Sequence, residues 1–425
     1  MAAKRYAIVG TGGRGLGMFA RPLLSDFLDT AELVGLCDHN PLRLAAANQM
    51  LGTALPTFTD FQALLADLNP DGVIVCTKDQ THAAYIVEAL EAGKRVYCEK
   101  PLCTTAAQCR EILAAADCSP GEVFVTHNMR YGPAEQKIKQ LLEKGKIGRL
   151  LSLEFNEHLD RNHGADYFRR WHRQKENSGG LLIHKASHHF DAMNWLAGSQ
   201  PEVLTAMGDL LFYGNNGDFR GDRCLGHRHA LDCDYYIDLG EDERGRLLYL
   251  GAEAEDGYHR DGCVFDPQID IEDQASVSYA YANGVRVNYS LLAYAAYEGM
   301  SLVLEGTEGR LEYRSVTNTG WAVGNRIVPG MDEMAGESLK YFHPRKGEEV
   351  LELARLEGSH GGSDPALRAD FFARSWDSEE RGHMATLEEA VQAVMVGAAA
   401  NVSIAEGGRP VRVQELLAGD RSPCF

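Results

Sequence analysis

The sequence predicts an α/β protein whose first third is a doubly wound parallel sheet and whose remainder carries a second sheet of consecutive strands. Three observations lead there. A Gly-rich turn, Gly10-Thr-Gly-Gly-Arg-Gly15, joins the first apolar strand to a helical stretch. Apolar strands and helices then alternate to about residue 128, the pattern of strand–crossover–strand units. Beyond residue 270, runs of strand character follow one another directly, with Asn283-Gly284 as a hairpin turn.

The first strand is Tyr6–Gly10, and a helix is expected from Leu16 to Phe27. Glycines at 10, 12, 13 and 15 depart from the usual Gly-x-Gly-x-x-Gly spacing. A Gly-rich turn at this place still lets a diphosphate approach the backbone at a helix N-terminus. The second strand, Glu32–Asp38, ends in an acid. An acid there accepts hydrogen bonds from the adenosine ribose and repels a 2′-phosphate, so Asp38 argues for NAD over NADP. The plainer alternative is an Asp capping the helix that starts at Asn40-Pro41. Helices follow at Leu42–Leu51 and Asp60–Leu68, then a strand Asp71–Cys76 and a loop Thr77–His82. A helix Ala83–Ala92 closes on Gly93 as its C-cap. The strand Arg95–Cys98 leads into Glu99-Lys100-Pro101, and Pro101 disfavours the α conformation at Lys100. Two charged side chains therefore leave the carboxyl end of the sheet, where open α/β folds bind ligands. A helix Thr105–Ala116 and a strand Glu122–Thr126 complete a dinucleotide-binding domain, residues 1–128.

In the second part, residues 129–425, Leu150–Glu157 reads as a strand and His158–Lys175 as a polar loop. That loop holds His163, Tyr167, Arg169, Arg170, Trp171 and His172. Aromatic faces with guanidinium donors suit a sugar ring, although a loop docking on its own domain has the same composition. Strands are expected at Glu202–Phe212, Asp270–Tyr281, Val285–Ala293 and Ser301–Glu305. Residues 213–265 look like an insertion rich in Gly, Asp and Arg. Within it, Cys224, His227, His229 and Cys233 have ligand chemistry, but the spacing is short and fits no standard finger, so no metal is expected. His360–Asp364 is a polar junction that either closes over a ligand or caps the helix Pro365–Arg374. A long packing helix spans Thr386–Glu406.

Residues 178–195 concentrate the proton chemistry. After Gly179-Gly180, helical spacing puts His184 and His188 on one face and Lys185 and His189 on the next. Three His and a Lys there supply groups that exchange protons near neutral pH; the bland alternative is a polar helix face.

Composition sets outer bounds. With 425 residues, 44% hydrophobic and 24% charged, the chain is an ordinary globular one of two-domain length. A net charge of −19 argues against nucleic-acid or anionic-membrane partners. No apolar run reaches the ~20 residues of a membrane span. The start, Met-Ala-Ala-Lys-Arg-Tyr, lacks a secretory apolar segment, and the ten Cys read as thiols of a reducing cytoplasm.

The Gly10–Gly15 turn, Thr77…His82, Glu99-Lys100-Pro101 and Asn128-Met-Arg130-Tyr131 resemble, in that order, the Gfo/Idh/MocA oxidoreductase family. The resemblance continues through Lys146-Ile-Gly-Arg, the Gly-Gly…His…Asp segment and Gly306-Thr-Glu-Gly-Arg-Leu-Glu. It implies a Rossmann domain followed by an α/β domain with an open, mostly antiparallel sheet that carries substrate and mediates oligomers. It also implies a cofactor site of Gly10, Thr11, Gly12, Gly13, Arg14, Gly15, Asp38, Thr77, His82, Glu99, Lys100 and Asn128. Arg130, Tyr131, His163, Arg170, Trp171 and His189 become substrate-binding candidates. Lys100, Lys185, His188 and His184 become catalytic ones. Where the family commonly has Asp-x-Gly-x-His, this chain has His184-Lys-Ala-Ser-His188, so a carboxylate is missing and Lys185 is added.

The expected function is an NAD-dependent dehydrogenase acting on a sugar or polyol, in a cytoplasmic homo-oligomer (dimer or tetramer). Two alternatives stand beside it: a redox-neutral, NAD-dependent glycosidase, and a non-catalytic nucleotide sensor.

Overall fold

Strand β1 (Lys4–Val9) is central to the first sheet, and its apolar residues are buried on both faces, as parallel strands under helices require. The computed structural model describes residues 3–218, 220–230, 232–318, 335–354, 362–376 and 382–418. The other strands of this sheet are β2 (Ala31–Cys37), β3 (Thr57–Phe58), β4 (Gly72–Val75), β5 (Arg95–Cys98) and β6 (Val123–Val125). All pair in parallel in the order β3-β2-β1-β4-β5-β6. The order reverses between β1 and β4, so their carboxyl ends frame the crevice where such folds bind ligands.

Local signals set the helix ends. Asn40 accepts from the Arg43 N–H, Pro41 opens the helix Pro41–Leu51, and Gly52 closes it in the left-handed region. Asp60 and Thr105 cap Phe61–Leu68 and Ala106–Asp117 in the same way. The helix expected over Leu16–Phe27 is shorter: a wide turn, Gly15–Ala20, passes into Arg21–Leu23 and stops. Pro22 has no N–H to carry the ladder back to Met18, which favours the irregular winding.

Among the described residues the second sheet has nine strands: β7 (Leu150–Asp160), β8 (Pro201–Asp209), β9 (Gln274–Tyr281), β10 (Arg286–Ala295), β11 (Glu298–Gly306), β12 (Arg310–Asn318), β13 (Gly336–His343), β14 (Gly347–Leu351) and β15 (Val411–Arg412). Their order is β14-β13-β12-β11-β7-β10-β9-β8-β15. Among the described strands only the β7–β10 pair is parallel. Strands β12 to β14 lie beyond those the sequence pattern identifies. Helices Ser187–Ala197 and Leu387–Ala405 pack on the sheet, the latter opened by a Thr386/Glu389 capping box.

Two expected elements differ. His158–Lys175 is no loop: β7 runs on to Asp160, whose side chain caps the helix Arg161–Arg169, and short turns follow. The 178–195 stretch is two helices, Leu181–His184 and Ser187–Ala197, broken at Lys185–Ala186. His184 and His188 therefore do not share a face.

The first sheet is covered partly by residues from far along the chain. Leu248, Leu367, Phe371 and Phe372 belong to the same buried cluster as Tyr6, Tyr97 and Phe124. Tyr97 stacks on Phe371 at 4.4 Å, and Tyr6 meets Phe372 edge-on at 5.1 Å. Of the cysteines, Cys37 and Cys98 are buried free thiols and Cys76 a half-buried one, whereas Cys118 is disulfide-bonded, against the expectation for that position. No helix among the described residues is long and apolar enough to cross a membrane.

Candidate active site

The carboxyl ends of β1, β4 and β5 open into a cavity of about 600 Å³. Gly10 sits at φ +94°, and a Cβ there would lie 2.5 Å from the Cys76 carbonyl. A Cβ on Gly15 would meet the Gly10 carbonyl at 2.3 Å, so the turn closes only with glycine at both positions. Gly12 has nothing within 4 Å of its Cβ position and lines the cavity, leaving the loop open to a phosphate. Thr77, Glu99 and Lys100 complete this wall. Arg14 bonds Glu99 at 2.7 Å and Asp364 at 3.3 Å, and Asp364 also accepts from the Asn128 amide at 3.0 Å. Asp364 thus ties three segments together from within the first turn of the helix Ser363–Arg368; His360 lies outside the described residues. His82 is a brace. Burial keeps its imidazole neutral, so it donates to one of its two carbonyl neighbours, Pro101 at 2.8 Å or Thr77 at 3.2 Å.

Asp38 lines the cavity but is already engaged. One oxygen accepts from the Thr11 N–H (2.8 Å) and hydroxyl (2.9 Å), the other from Asn40 N–H (3.0 Å) and Arg43 (3.2 Å). The Arg43 charge therefore offsets part of the repulsion expected toward a 2′-phosphate.

The sequence reading missed one wall of the cavity. Tyr249, Asp256, Tyr258 and Arg260, all from the 213–265 insertion, line it together with the glycine turn. Aromatics and an arginine in a Gly/Asp-rich stretch were the available signal. Also in the insertion, Cys224, His227, His229 and Cys233 form no cluster of three or more ligating side chains among the described residues.

Deeper in the same cavity, His184 Nδ1 lies 2.5 Å from Asp79 Oδ2, both groups buried. The carboxylate that the helix lacks is thus supplied from the first sheet's Thr77–His82 turn, a pairing across 105 positions that no local pattern reveals. Burial pushes the Asp79 carboxyl well up, with Lys100 opposing and Glu99 reinforcing. Burial, then Lys100 and His172, hold His184 well down, so its ring is neutral at pH 7. His172 stacks on Trp171 at 3.6 Å and abuts His184 at 4.0 Å, while Arg170 and Trp171 also line the cavity.

Lys100 lines this first cavity, within electrostatic reach of Lys185 in the wall of a second. Its Nζ donates to the His184 carbonyl at 2.8 Å. Burial lowers it to about 8, Asp79 and Glu99 opposing, Lys185 and Arg14 adding. The Lys100–Pro101 peptide is cis.

The second cavity, about 750 Å³, is lined by Asn128, Glu157, Lys185, His188, His189 and Glu298 and extends over β12 and β13. Lys185 bonds Glu157 at 2.9 Å; burial would lower it, but Glu157 and its neighbours outweigh that and hold it a cation. His189 faces the Tyr289 hydroxyl at 2.9 Å and Glu157 at 3.6 Å. His188 stacks on His189 at 4.4 Å, and both its ring nitrogens are buried without a partner. Burial and the neighbouring His189, Lys185 and Lys100 hold it neutral. A buried imidazole with neither ring nitrogen paired is costly, and such groups concentrate at functional sites.

Three expected substrate contacts lie elsewhere. Arg130 is locked to Asp191 by two 2.7 Å bonds and to Glu389 at 2.9 Å. Tyr131 is buried with its hydroxyl on Asp370 at 3.0 Å. His163 sits behind Glu298 (2.8 Å) and bonds Tyr167 (2.9 Å). Their polar groups are used within the protein.

The crevice, the glycine turn and the titrating groups around it define a nicotinamide-dependent oxidoreductase. Residues 4–127 match the pattern described as "Oxidoreductase family, NAD-binding Rossmann fold" and residues 139–413 its "C-terminal alpha/beta domain"; the chain belongs to the Gfo/Idh/MocA family and has its NAD-binding Rossmann domain. It is 33% identical to the Bacillus subtilis oxidoreductase YteT, over 97% of this chain and 99% of that one. It is 28% identical to the inositol 2-dehydrogenase of Rhizobium meliloti, over 51% of this chain and 62% of that one. Among solved structures, a levoglucosan dehydrogenase in complex with NADH and L-sorbose shares the fold, with a TM-score of 0.67 at 19% identity over 98% of this chain and 100% of that one.

Proposed function

We propose that the protein is an NAD-dependent dehydrogenase of a sugar or polyol hydroxyl. Relatives named for inositol and levoglucosan support the substrate class. The observation that carries the reading is His188, unpartnered in the wall of the second cavity beside Lys185 and close to Lys100. When bound, NAD supplies the hydride acceptor. Lys100, with its amine brought to about 8, takes the hydroxyl proton as the carbon is oxidised and returns it in the reverse direction. His188 orients that hydroxyl. Lys185, fixed as a cation by Glu157, favours the negative charge that develops on oxygen. Asp79 holds His184 in one tautomer beneath Lys100, a positioning role. The proposal includes a homo-oligomer formed on the nine-stranded sheet, whose β10 alternates exposed and buried residues; light scattering tests it.

A second reading has its own observation. Asp79–His184, whose His184 carbonyl accepts from Lys100, and Glu157–Lys185–His188–His189 are two separate proton-handling groups. Redox-neutral glycoside cleavage needs such a second group, to take the proton from the carbon next to the oxidised one. Incubation with NAD and a panel of free sugars and aryl glycosides separates the readings. NADH formed together with an oxidised free sugar, whether it stays bound or is released, supports the dehydrogenase. Aglycone release without net NADH, with solvent deuterium entering beside the oxidised carbon, replaces it with the second.

A further inference from the structure

Residues 245–260 leave the second half of the chain, between β8 and β9, and cross to the glycine turn of the first sheet. Their attachments there are numerous. The Gly13 N–H donates to the Tyr249 hydroxyl at 3.3 Å. Arg43 donates to the Leu248 carbonyl at 3.2 Å and pairs with Asp256 at 2.7 Å. The Asn40 amide donates to the Ala252 carbonyl at 2.9 Å. Leu248 is fully buried in the first sheet's own core. Lys78 lies 5.6 Å over the Tyr258 ring, and Arg260 lies 4.9 Å over Tyr249. Gly257, in the left-handed region, turns the chain back after Asp256.

The segment is therefore fastened at the cavity that the first sheet opens, and Tyr249, Asp256, Tyr258 and Arg260 line that cavity together with the glycine turn, Tyr249 in direct contact with it. Its chemistry suits that place. A phenol hydroxyl resting on a loop amide and a guanidinium beside it can serve a diphosphate. Asp256 faces the Asp38–Arg43 group at the ribose end.

We infer that residues 245–260 are a cofactor-retaining strap, which makes the dinucleotide a resident group held through turnover instead of a co-substrate exchanging with solution. The inference rests on the NAD-binding character of the first domain and is independent of which sugar is bound. For the dinucleotide to leave, the hydrogen bonds at Gly13, Asn40 and Arg43 have to open and Leu248 has to withdraw from the core. A resident cofactor also sets the balance of the reaction. A hydride and a proton removed from one hydroxyl-bearing carbon have to be returned, in the same site, to a carbonyl carbon and its oxygen.

The test is nucleotide exchange in the full-length protein. After gel filtration in nucleotide-free buffer, denaturation should release close to one NAD per chain, and radiolabelled NAD should exchange into the bound pool over minutes or longer. Asp256→Asn, which keeps the side-chain shape but removes the charge facing Arg43, should speed exchange by about 10-fold. Tyr249→Ala, which leaves that ion pair intact, should do the same with the far-UV circular dichroism unchanged. Exchange of wild-type protein within seconds, or variants that exchange at the wild-type rate, would overturn the strap while leaving a nucleotide-binding enzyme. Failure to bind NAD at millimolar concentration would remove the cofactor and the strap together.

Discussion

Two lysines in one site behave oppositely, and their partners explain why. Lys100 is buried against Lys185 and Arg14 and is lowered to about 8; Lys185 has Glu157 at 2.9 Å and stays charged. Oxidation needs Lys100 as the free amine, so its rate should rise with pH through about 8; reduction needs the ammonium, so its rate should fall over the same interval. Steady-state pH profiles in both directions check this, and parallel limbs would remove Lys100 as the proton carrier. Lys100→Ala and His188→Ala should each lower kcat by about 10²–10⁴ while NAD affinity stays within a few-fold. Asp79→Asn should change the His184 tautomer seen by ¹⁵N NMR and lower kcat with little effect on KM. Asp38→Ser should narrow the ratio of NAD to NADP affinity, measured by fluorescence titration, by less than an isolated carboxylate would allow, because Arg43 already offsets it. Lys100, Lys185 and His188 stand out as candidates in the sequence because short motifs carry them. The Asp79–His184 pair does not, since nothing near either residue points to the other.

At the scale of single elements, what was legible followed from capping and periodicity. Asn40-Pro41, Asp60, Thr105 and Thr386 mark helix starts by chemistry that acts within one turn. The break at Lys185–Ala186 left no such mark. Each half reads as helix by itself, and tertiary demand separates them: Lys185 turns to Glu157 on β7 while His184 turns to Asp79. The strand β7 and helix Arg161–Arg169 were hidden for a related reason, because polar residues that read as a loop are used internally, as Asp160 is in capping that helix. Gly15→Ala should abolish NAD binding by calorimetry, as its Cβ would lie 2.3 Å from the Gly10 carbonyl. Thr386→Ala should lower unfolding free energy by about 1 kcal/mol in a urea titration, through the lost cap on Leu387–Ala405.

For the whole molecule, the alternation of strands and helices reported the first sheet well, but it said nothing about what covers that sheet. Tyr97 and Tyr6 pack against Phe371 and Phe372, from close to the other end of the chain. Phe371→Ala should destabilise the protein by about 3–5 kcal/mol. That loss should appear in the transition followed by dinucleotide binding as well as in the circular dichroism of the whole chain. The same packing bears on synthesis. At roughly 5–20 residues per second, a ribosome takes tens of seconds to travel from the end of β6 to Phe371. Through that interval the earliest-made sheet waits with Tyr6, Tyr97 and Phe124 lacking their partners, an apolar face that a nascent-chain chaperone would cover. A message cut short anywhere between the end of β6 and Phe371 would encode every glycine of the nucleotide turn and still not yield a finished nucleotide domain.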